Sequence, residues 1–424
     1  MNKQYYSALD EHLFFCRLSN GLTVKVVPKP GFTRSLAYFV TDFGSIHTDF
    51  LLDGETVHAP AGIAHFLEHK MFELPDRDVT AEFAALGANV NAFTSFDMTA
   101  YYFSCTANFE ENLHLLLEFV STPYFTEESV QRELGIIDQE IGMYEDSPDS
   151  REFENLMGLM YRQHPIRIPI LGTRESLRQI TPELLYTCHR AFYTPANMVL
   201  CVVGDVDPRK VVEIAESVLG TEKKEPGIKL RPDETDMTCS GQEQKIQMEV
   251  AMPTFQLGFK CEAVGKGESA IRKDVIGYLA AEALLGESSQ LYLKLYEEGI
   301  IDSSFGGSFE TLDGCAMLTC GGDGQYPEKV REAMIREAER LAREGIPEVD
   351  FLRLKRGAMG RRIRDLDSFD STCFRLCAYH FTGFDYFDFP AVYADVTAEE
   401  VRAFLATAVK ESRCAVSIVE PVQS

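Results

Sequence analysis

The chain has 424 residues, of which 45% are hydrophobic and 25% are charged, and its formal net charge is −25. This length suits two domains of about 200 residues each, and the composition excludes the disordered, collagen-like and membrane-spanning classes of protein. The negative charge disfavours nucleic acids and anionic membranes as partners, because binding to either needs a basic surface.

Hydropathy predicts a cytoplasmic protein, and cysteine usage predicts buried thiols. No stretch approaches the roughly 20 apolar residues of a membrane span, and residues 1–18 lack the apolar run of a signal peptide. The eleven cysteines include no CxxC pair, which favours buried thiols over a disulfide framework or a cysteine-rich zinc site.

Strand and helix patterns alternate through the first half of the chain. Residues 21–27 and 36–40 are rich in β-branched and aromatic residues and flank a turn, so they predict two strands that pair with each other. Helical periodicity appears at residues 63–72, 79–86, 110–120 and 208–219, and buried strands are predicted at 101–104 and 198–204.

The periodicity fails between residues 221 and 245, where charged residues, Pro, Gly and Thr are typical of an exposed connection. We therefore predict an N-terminal domain at 1–220, a linker at 221–245 and a C-terminal domain at 246–424. The second half repeats the order of strands and helices of the first. The fold class is therefore α+β, with two similar domains that each pack helices on a mainly antiparallel sheet.

The first predicted helix contains the sequence His65-Phe66-Leu67-Glu68-His69. His65 and His69 are one helical turn apart, so both imidazoles can reach one ion. Glu68 stands beside His69, where its carboxylate can take a proton from a metal-bound water without binding the metal. This motif predicts one zinc ion per chain and makes the N-terminal domain the catalytic one, since the C-terminal domain lacks it.

A catalytic zinc site needs a third protein ligand, and residues 132–141 offer candidates. The segment reads as a helix with Glu133 and Glu140 on one face. Its apolar residues are expected to pack inward, namely Leu134, Ile136, Ile137 and Ile141. We predict that Glu140 binds the ion and that Glu133 supports an imidazole or the attacking water.

Two rival functions are compatible with these residues. Two histidines and one carboxylate also suit the iron of an oxygenase. A protein of this organisation could alternatively be a non-catalytic assembly or peptide-binding subunit, although an intact HxxEH motif argues against that alternative.

Four ordered blocks of sequence resemble the inverzincin metallopeptidases, the group that includes pitrilysin, insulin-degrading enzyme and the mitochondrial processing peptidase. The blocks are residues 62–72, 87–95, 101–103 and 133–140. The resemblance implies a zinc endopeptidase for unfolded peptides, with zinc held by His65, His69 and Glu140. Glu68 would then activate water, and Glu133 would assist it.

The resemblance also implies a peptide-binding strand and a partner. The strand is formed by Asn91, Ala92, Phe93 and Thr94, and substrate backbone would add to its free edge. Longer relatives enclose their substrate with four such domains. A chain of this length is therefore expected to pair with itself or with a related subunit that can be inactive.

Two departures from the family pattern leave questions open. The interval between His69 and Glu140 is a few residues shorter than the family leads us to expect, so Glu145 stays an alternative ligand. Related enzymes also present an arginine and a tyrosine from the second half to the substrate, whereas Tyr296 and Asp302 stand near those places here.

Overall fold

The computed structural model describes residues 1–231 and 234–422, which fold into two compact units. Unit 1 comprises Met1–Ile141, Pro169–Arg231 and Ile363–Asp388. Unit 2 comprises Gly142–Ile168 together with the described residues of 232–362 and 389–424. In this part of the chain, no helix combines the length and the apolar character that crossing a membrane requires.

Strands and helices alternate along the whole chain. Residues 1–145 form β1 (Asn2–Tyr6), β2 (Glu11–Arg17), β3 (Thr23–Pro28), β4 (Ser35–Thr41), β5 (Asp49–Leu52), β6 (Glu55–His58), α1 (Ile63–Met71), β7 (Glu73–Leu74), β8 (Arg77–Asp78), α2 (Val79–Ala85), β9 (Ala88–Thr94), β10 (Thr99–Cys105), α3 (Phe109–Ser121) and α4 (Glu127–Glu145). Residues 146–231 add α5 (Pro148–Met160), α6 (Arg174–Leu177), α7 (Pro182–Phe192), β11 (Met198–Gly204), α8 (Pro208–Leu219) and β12 (Ile228–Leu230). The remainder contains β13 (Glu243–Met248), β14 (Thr254–Cys261), α9 (Glu268–Leu285), α10 (Gln290–Glu297), β15 (Gly306–Leu312), β16 (Cys315–Asp323), α11 (Pro327–Glu344), α12 (Glu348–Arg364), α13 (Phe369–Thr382), α14 (Phe389–Asp395), α15 (Ala398–Ala408) and β17 (Cys414–Pro421).

The main sheet of unit 1 has seven strands in the order β1-β2-β3-β11-β4-β10-β9. The predicted pairing of the strands at residues 21–27 and 36–40 is wrong, because β11 lies between β3 and β4, parallel to β3 and antiparallel to β4. Every residue of β11 is buried. Its apolar sequence explains why it takes the centre of the sheet, where both faces are covered.

Helices cover both faces of this sheet. Alternate residues such as Leu200 and Val202 belong to the main apolar core, which also contains residues of α1, α3, α4 and α7. The intervening residue Cys201 lies on the opposite face, where α13 packs on β11 and β4. β9 forms one edge of the sheet, and its only strand partner among residues 1–231 and 234–422 is β10.

Unit 2 contains a five-stranded sheet in the order β13-β17-β14-β16-β15. Helix α5 packs on β17, β14 and β13, and α9 packs on β15 and β16. The α+β class and the two similar domains predicted from sequence are confirmed, since each unit combines helices with a mainly antiparallel sheet.

The structure differs from the predicted contiguous domains in two segments. Residues 142–168 belong to unit 2 and residues 363–388 belong to unit 1, because α5 and α13 bury their apolar faces on those sheets. The predicted linker at 221–245 is also partly structured. It contributes β12, which pairs with β5, and Glu234, which forms a buried ion pair with Lys260, while its residues 232 and 233 lie outside the described residues.

Candidate metal centre

The helix with the HxxEH motif begins where a glycine is required. Gly62 has φ 88°, and a Cβ there would lie 2.3 Å from the carbonyl oxygen of Leu171. The chain therefore turns into α1 against a neighbouring backbone, a close approach that only glycine permits. Eight of the nine residues of α1 are buried, and His69 is the more accessible of its two histidines.

The second acidic helix, α4, starts with a reciprocal cap. The Ser129 amide donates to Thr126 Oγ1, and the Thr126 amide donates to Ser129 Oγ. Its buried stripe consists of Ser129, Val130, Glu133, Ile137 and Ile141. Glu133 thus occupies an apolar stripe, where a carboxylate needs a polar partner.

The prediction that Ile136 packs inward is wrong, because half of its surface is exposed. The buried stripe of α4 runs through residues 130, 133, 137 and 141 instead, and a residue at 136 falls outside that helical spacing. The helix itself is present as predicted, and Glu133 is an additional residue that it buries.

Three side chains converge between α1 and α4. His65 Nε2 lies 3.6 Å from Glu140 Oε1, and His69 Nε2 lies 3.7 Å from Glu140 Oε2. One ligand atom from each residue lies within 4.8 Å of the other two, and no other such group of His, Cys, Asp or Glu occurs in residues 1–231 and 234–422. Zinc bonds of 2.0–2.2 Å at tetrahedral angles place neighbouring ligand atoms about 3.4 Å apart. The donor set therefore fits a zinc ion.

Glu133 orients the imidazole of His69. With its proton on Nδ1, His69 donates to Glu133 Oε1 over 2.9 Å and leaves the Nε2 lone pair directed at the cluster. Burial alone would lower the pKa of His69, but this hydrogen bond and the charges of Glu68, Glu133 and Glu140 raise it. Burial, together with the charge of His69, lowers the pKa of His65 to about 3, which keeps its imidazole neutral and able to bind metal.

Glu68 is buried beside the cluster and is held by the end of β9. Thr94 Oγ1 donates to Glu68 Oε2 over 2.8 Å, which fixes one carboxylate oxygen. Burial raises the pKa of Glu68, and the hydrogen bond from Thr94 opposes that rise. A carboxylate with a raised pKa is a stronger base, as proton abstraction from water requires.

The predicted substrate strand belongs to β9, the edge strand of the seven-stranded sheet, and its end reaches Glu68. Along β9 the side chains alternate, so that Thr94 reaches Glu68 whereas the ring of Phe93 lies 6.0 Å from that of Phe374 and 6.2 Å from that of Tyr102. The side chain of Asn91 is exposed and accepts from the Ala92 amide. Sequence reasoning placed Thr94 among the substrate residues and missed its bond to Glu68, because no spacing in the sequence links positions 68 and 94.

The other candidates from sequence are not members of this cluster of three. Glu145, the last residue of α4, does not belong to it, and the division of the chain places Glu145 in unit 2. Tyr296 is exposed on α10 and stacks on Tyr292, and Asp302 accepts from the backbone and the hydroxyl of Ser304. Both belong to unit 2.

Comparisons with known proteins agree with this geometry. Residues 56–174 match the family model described as insulinase (peptidase family M16), and residues 179–358 match the model described as the peptidase M16 inactive domain. A Bacillus subtilis protein named as the uncharacterized zinc protease YmfH is 39% identical over 98% of both chains.

Solved structures share the fold across nearly the whole chain. A crystal structure of an M16-like peptidase from Alicyclobacillus acidocaldarius superposes with a TM-score of 0.93 at 36% identity, covering 98% of this chain and 99% of that one. A protease from Helicobacter pylori has a TM-score of 0.80 at 21% identity, covering 96% and 99%.

Proposed function

The chain belongs to the M16 (insulinase) family of peptidases, and from that premise we propose that it is a zinc-dependent endopeptidase that hydrolyses unfolded peptides or protein segments. The observation that carries the proposal is the convergence of His65, His69 and Glu140, with the buried carboxylate of Glu68 beside them. These three residues would hold one zinc ion per chain.

The residues around the proposed zinc site have different roles in hydrolysis. When bound, zinc would lower the pKa of a coordinated water and polarise the scissile carbonyl. Glu68 would be the base that accepts a proton from the attacking water and the acid that returns it to the leaving amine. Glu133 keeps the Nδ1 proton of His69 in place, so that Nε2 stays a ligand, and Thr94 holds one oxygen of Glu68.

Substrate would add to the edge of the seven-stranded sheet as an eighth strand. The backbone of Asn91, Ala92, Phe93 and Thr94 has no strand partner on its outer side in the described residues. Main-chain hydrogen bonds at such an edge bind extended peptides of many sequences. Because Thr94 belongs to the same strand, the added peptide would lie close to Glu68.

We propose further that the chain works as a homodimer, or as a heterodimer with a related subunit that can be inactive. The support is the resemblance to longer relatives with four such domains. The exposed Tyr296 and Asp302, which replace the family's arginine and tyrosine, favour a partner that supplies those groups. Light scattering that shows a monomer with full activity at the same concentration would rule out this assembly.

Peptide-library digestion with mass spectrometry tests the activity. Wild-type protein loaded with zinc should cleave, a chelator should stop cleavage, and Glu68→Gln should bind zinc equally but cleave at least about 100-fold more slowly. Cleavage that persists in Glu68→Gln would refute the role of Glu68.

The same experiment separates the two rival functions. A zinc-bound wild type that cleaves no peptide would identify a non-catalytic subunit of the same fold, the alternative suggested by the match to an inactive-domain model. Stoichiometric iron with oxygen consumption, rather than zinc with chelator-sensitive cleavage, would identify an oxygenase instead.

A further inference from the structure

Lys70 is a lysine with a fully buried side chain, and it follows His69 directly in α1. None of the steps proposed above uses it. An ammonium group is rarely buried without an anion, because the loss of hydration costs several kcal/mol. The anion that pairs with Lys70 therefore indicates which elements of unit 1 this ammonium group connects.

The partner of Lys70 is a carboxylate that it shares with α4. Lys70 Nζ donates to Glu73 Oε2, and Arg132 Nη2 donates to Glu73 Oε1. Each oxygen of Glu73 thus takes one cation, and β7 connects α1 to α4 through an ionic bridge. Arg132 directly precedes Glu133, which orients His69, and lies two helical turns before Glu140.

We propose that Lys70, Glu73 and Arg132 are positioning residues that set the distance between α1 and α4, and through it the geometry of the metal cluster. The inference rests on the proposed function, because it concerns the residues that would hold zinc. Two ligands come from α1 and the third from α4, so a small shift between these helices moves Glu140 away from both imidazoles. The hydrogen bond between His69 and Glu133 joins α1 and α4 at a single point, so it does not by itself set the orientation of the two helices.

The direction of the change in zinc affinity distinguishes a positioning role of Lys70 and Arg132 from a purely electrostatic effect of their charges. Lys70 and Arg132 are both cations near the cluster, so removing either should strengthen the binding of a divalent cation if only long-range electrostatics acts. A positioning role predicts the opposite, which is weaker binding. Lys70→Met preserves the length and apolar stem of the side chain, and Glu73 keeps Arg132 as an ion-pair partner in this variant.

The test is the zinc dissociation constant of the full chain, measured by competition with a chromophoric chelator. We expect Lys70→Met and Arg132→Ala each to raise the constant about 10-fold, the lower end of the range for residues that support metal ligands. The double variant should show no more than the larger single effect, because either change breaks the same bridge. Arg132→Lys should restore binding to within about 3-fold of wild type, and the visible spectrum of the cobalt-substituted protein should change in the first two variants.

Arg77→Ala is the matched control. Arg77 also bridges two carboxylates, those of Glu82 and Glu118, but neither lies on α1 or α4, so its zinc affinity should equal that of wild type. Unchanged or tighter zinc binding in Arg132→Ala, whose side chain is exposed and can be removed without opening a cavity, would overturn the positioning role. Additive effects in the double variant would overturn it as well. A wild type that binds no zinc would instead overturn the proposed function.

Discussion

The two units contain sheets of the same design. In unit 1 the run β3-β11-β4-β10-β9 starts with a parallel pair and continues antiparallel, and in unit 2 the run β13-β17-β14-β16-β15 does the same. In each unit a helix packs on the edge strand and its neighbour, α1 on β9 and β10 and α9 on β15 and β16. The repeated order of elements read from the sequence therefore reflects a repeated topology.

The difference lies in what those two helices bring to the edge strand. In unit 1, α1 places Glu68 against Thr94 of β9. In unit 2, α9 has no histidine and packs Gly277 so closely on β15 that an added Cβ would lie 2.2 Å from the ring of Phe309. The contact between this helix and the edge strand is thus aromatic in unit 2, whereas in unit 1 it includes the polar pair of Glu68 and Thr94. The same arrangement of helix and edge strand can therefore hold a candidate reaction site or an apolar packing contact, depending on the side chains at the contact.

Replacing Glu140 should remove from unit 1 the set of metal ligands that distinguishes it from unit 2. We expect Glu140→Gln to weaken zinc binding more than about 100-fold, beyond the usual loss for residues that only support ligands. The metal-free fold should keep its thermal stability, because burial outweighs the attraction of His69 and raises the pKa of Glu140, so the ionised carboxylate does not stabilise the fold.

Glu145→Gln is the control for that change, and chelator competition measures both variants. Glu145 is the alternative ligand from sequence, and it lies outside the cluster, so its replacement should leave zinc affinity unchanged. Loss of zinc from Glu145→Gln with retention in Glu140→Gln would reverse the assignment of the third ligand.

A smaller effect is expected where β9 meets Glu68. Thr94→Val keeps the shape of the side chain but removes the hydrogen bond to Glu68, which for a charged acceptor contributes about 1.5–3 kcal/mol. We expect kcat to fall about 10-fold or more, with KM unchanged because substrate would pair with the backbone of β9. Thr94→Ser should restore kcat. An equal loss in Thr94→Ser would show that packing, rather than the hydroxyl, is responsible.

The pH profile of Thr94→Val adds a second readout. The hydrogen bond from Thr94 lowers the pKa of Glu68 against the effect of burial, so its removal should raise that pKa further. Glu68 acts as a base only when it is ionised. Activity of the variant should therefore disappear at a higher pH than that of wild type when the pH is lowered.

Local features were readable from the sequence to different degrees. The HxxEH helix and the carboxylates of α4 follow from helical spacing, which is a local property, and the structure brings His65, His69 and Glu140 together. The insertion of β11 between β3 and β4 was not predictable, since that pairing joins residues more than 150 positions apart. The bond between Thr94 and Glu68 depends on the same kind of long-range placement.

Local sequence patterns also did not predict that α5, from the first half of the chain, and α13, from the second half, each pack on the sheet of the other half. Helix α13 covers the sheet of unit 1 and α5 covers the sheet of unit 2, yet each has the amphipathic pattern of any surface helix. The two helices differ in their buried polar contacts. Beneath α13, the buried Lys25 donates to the carbonyl of Leu376, whereas α5 buries the carboxyl of Glu152 against Thr254.

The buried carboxyl of Glu152 predicts that unit 2 becomes less stable as the pH rises from 4.5 to 8. Burial, with the charges of Asp149 and Asp323, raises the pKa of Glu152 to about 8 from an ordinary value of 4.5. The folded protein therefore holds a proton that the unfolded chain releases above pH 4.5, so Glu152 lowers stability progressively as the pH rises from 4.5 to 8.

Glu152→Gln keeps the hydrogen-bonding capacity without the charge and should remove that loss. At 1.36 kcal/mol per pKa unit, the free energy of unfolding should rise at pH 9 by at most about 5 kcal/mol, and less if α5 relaxes. Near pH 4 the variant and wild type should unfold alike. Thermal unfolding followed at both pH values measures the difference, and a stabilisation that is the same at pH 4 and pH 9 would mean that the charge of Glu152 is not its cause. Zinc affinity should be the same in both proteins, because Glu152 is not one of the residues of the metal cluster.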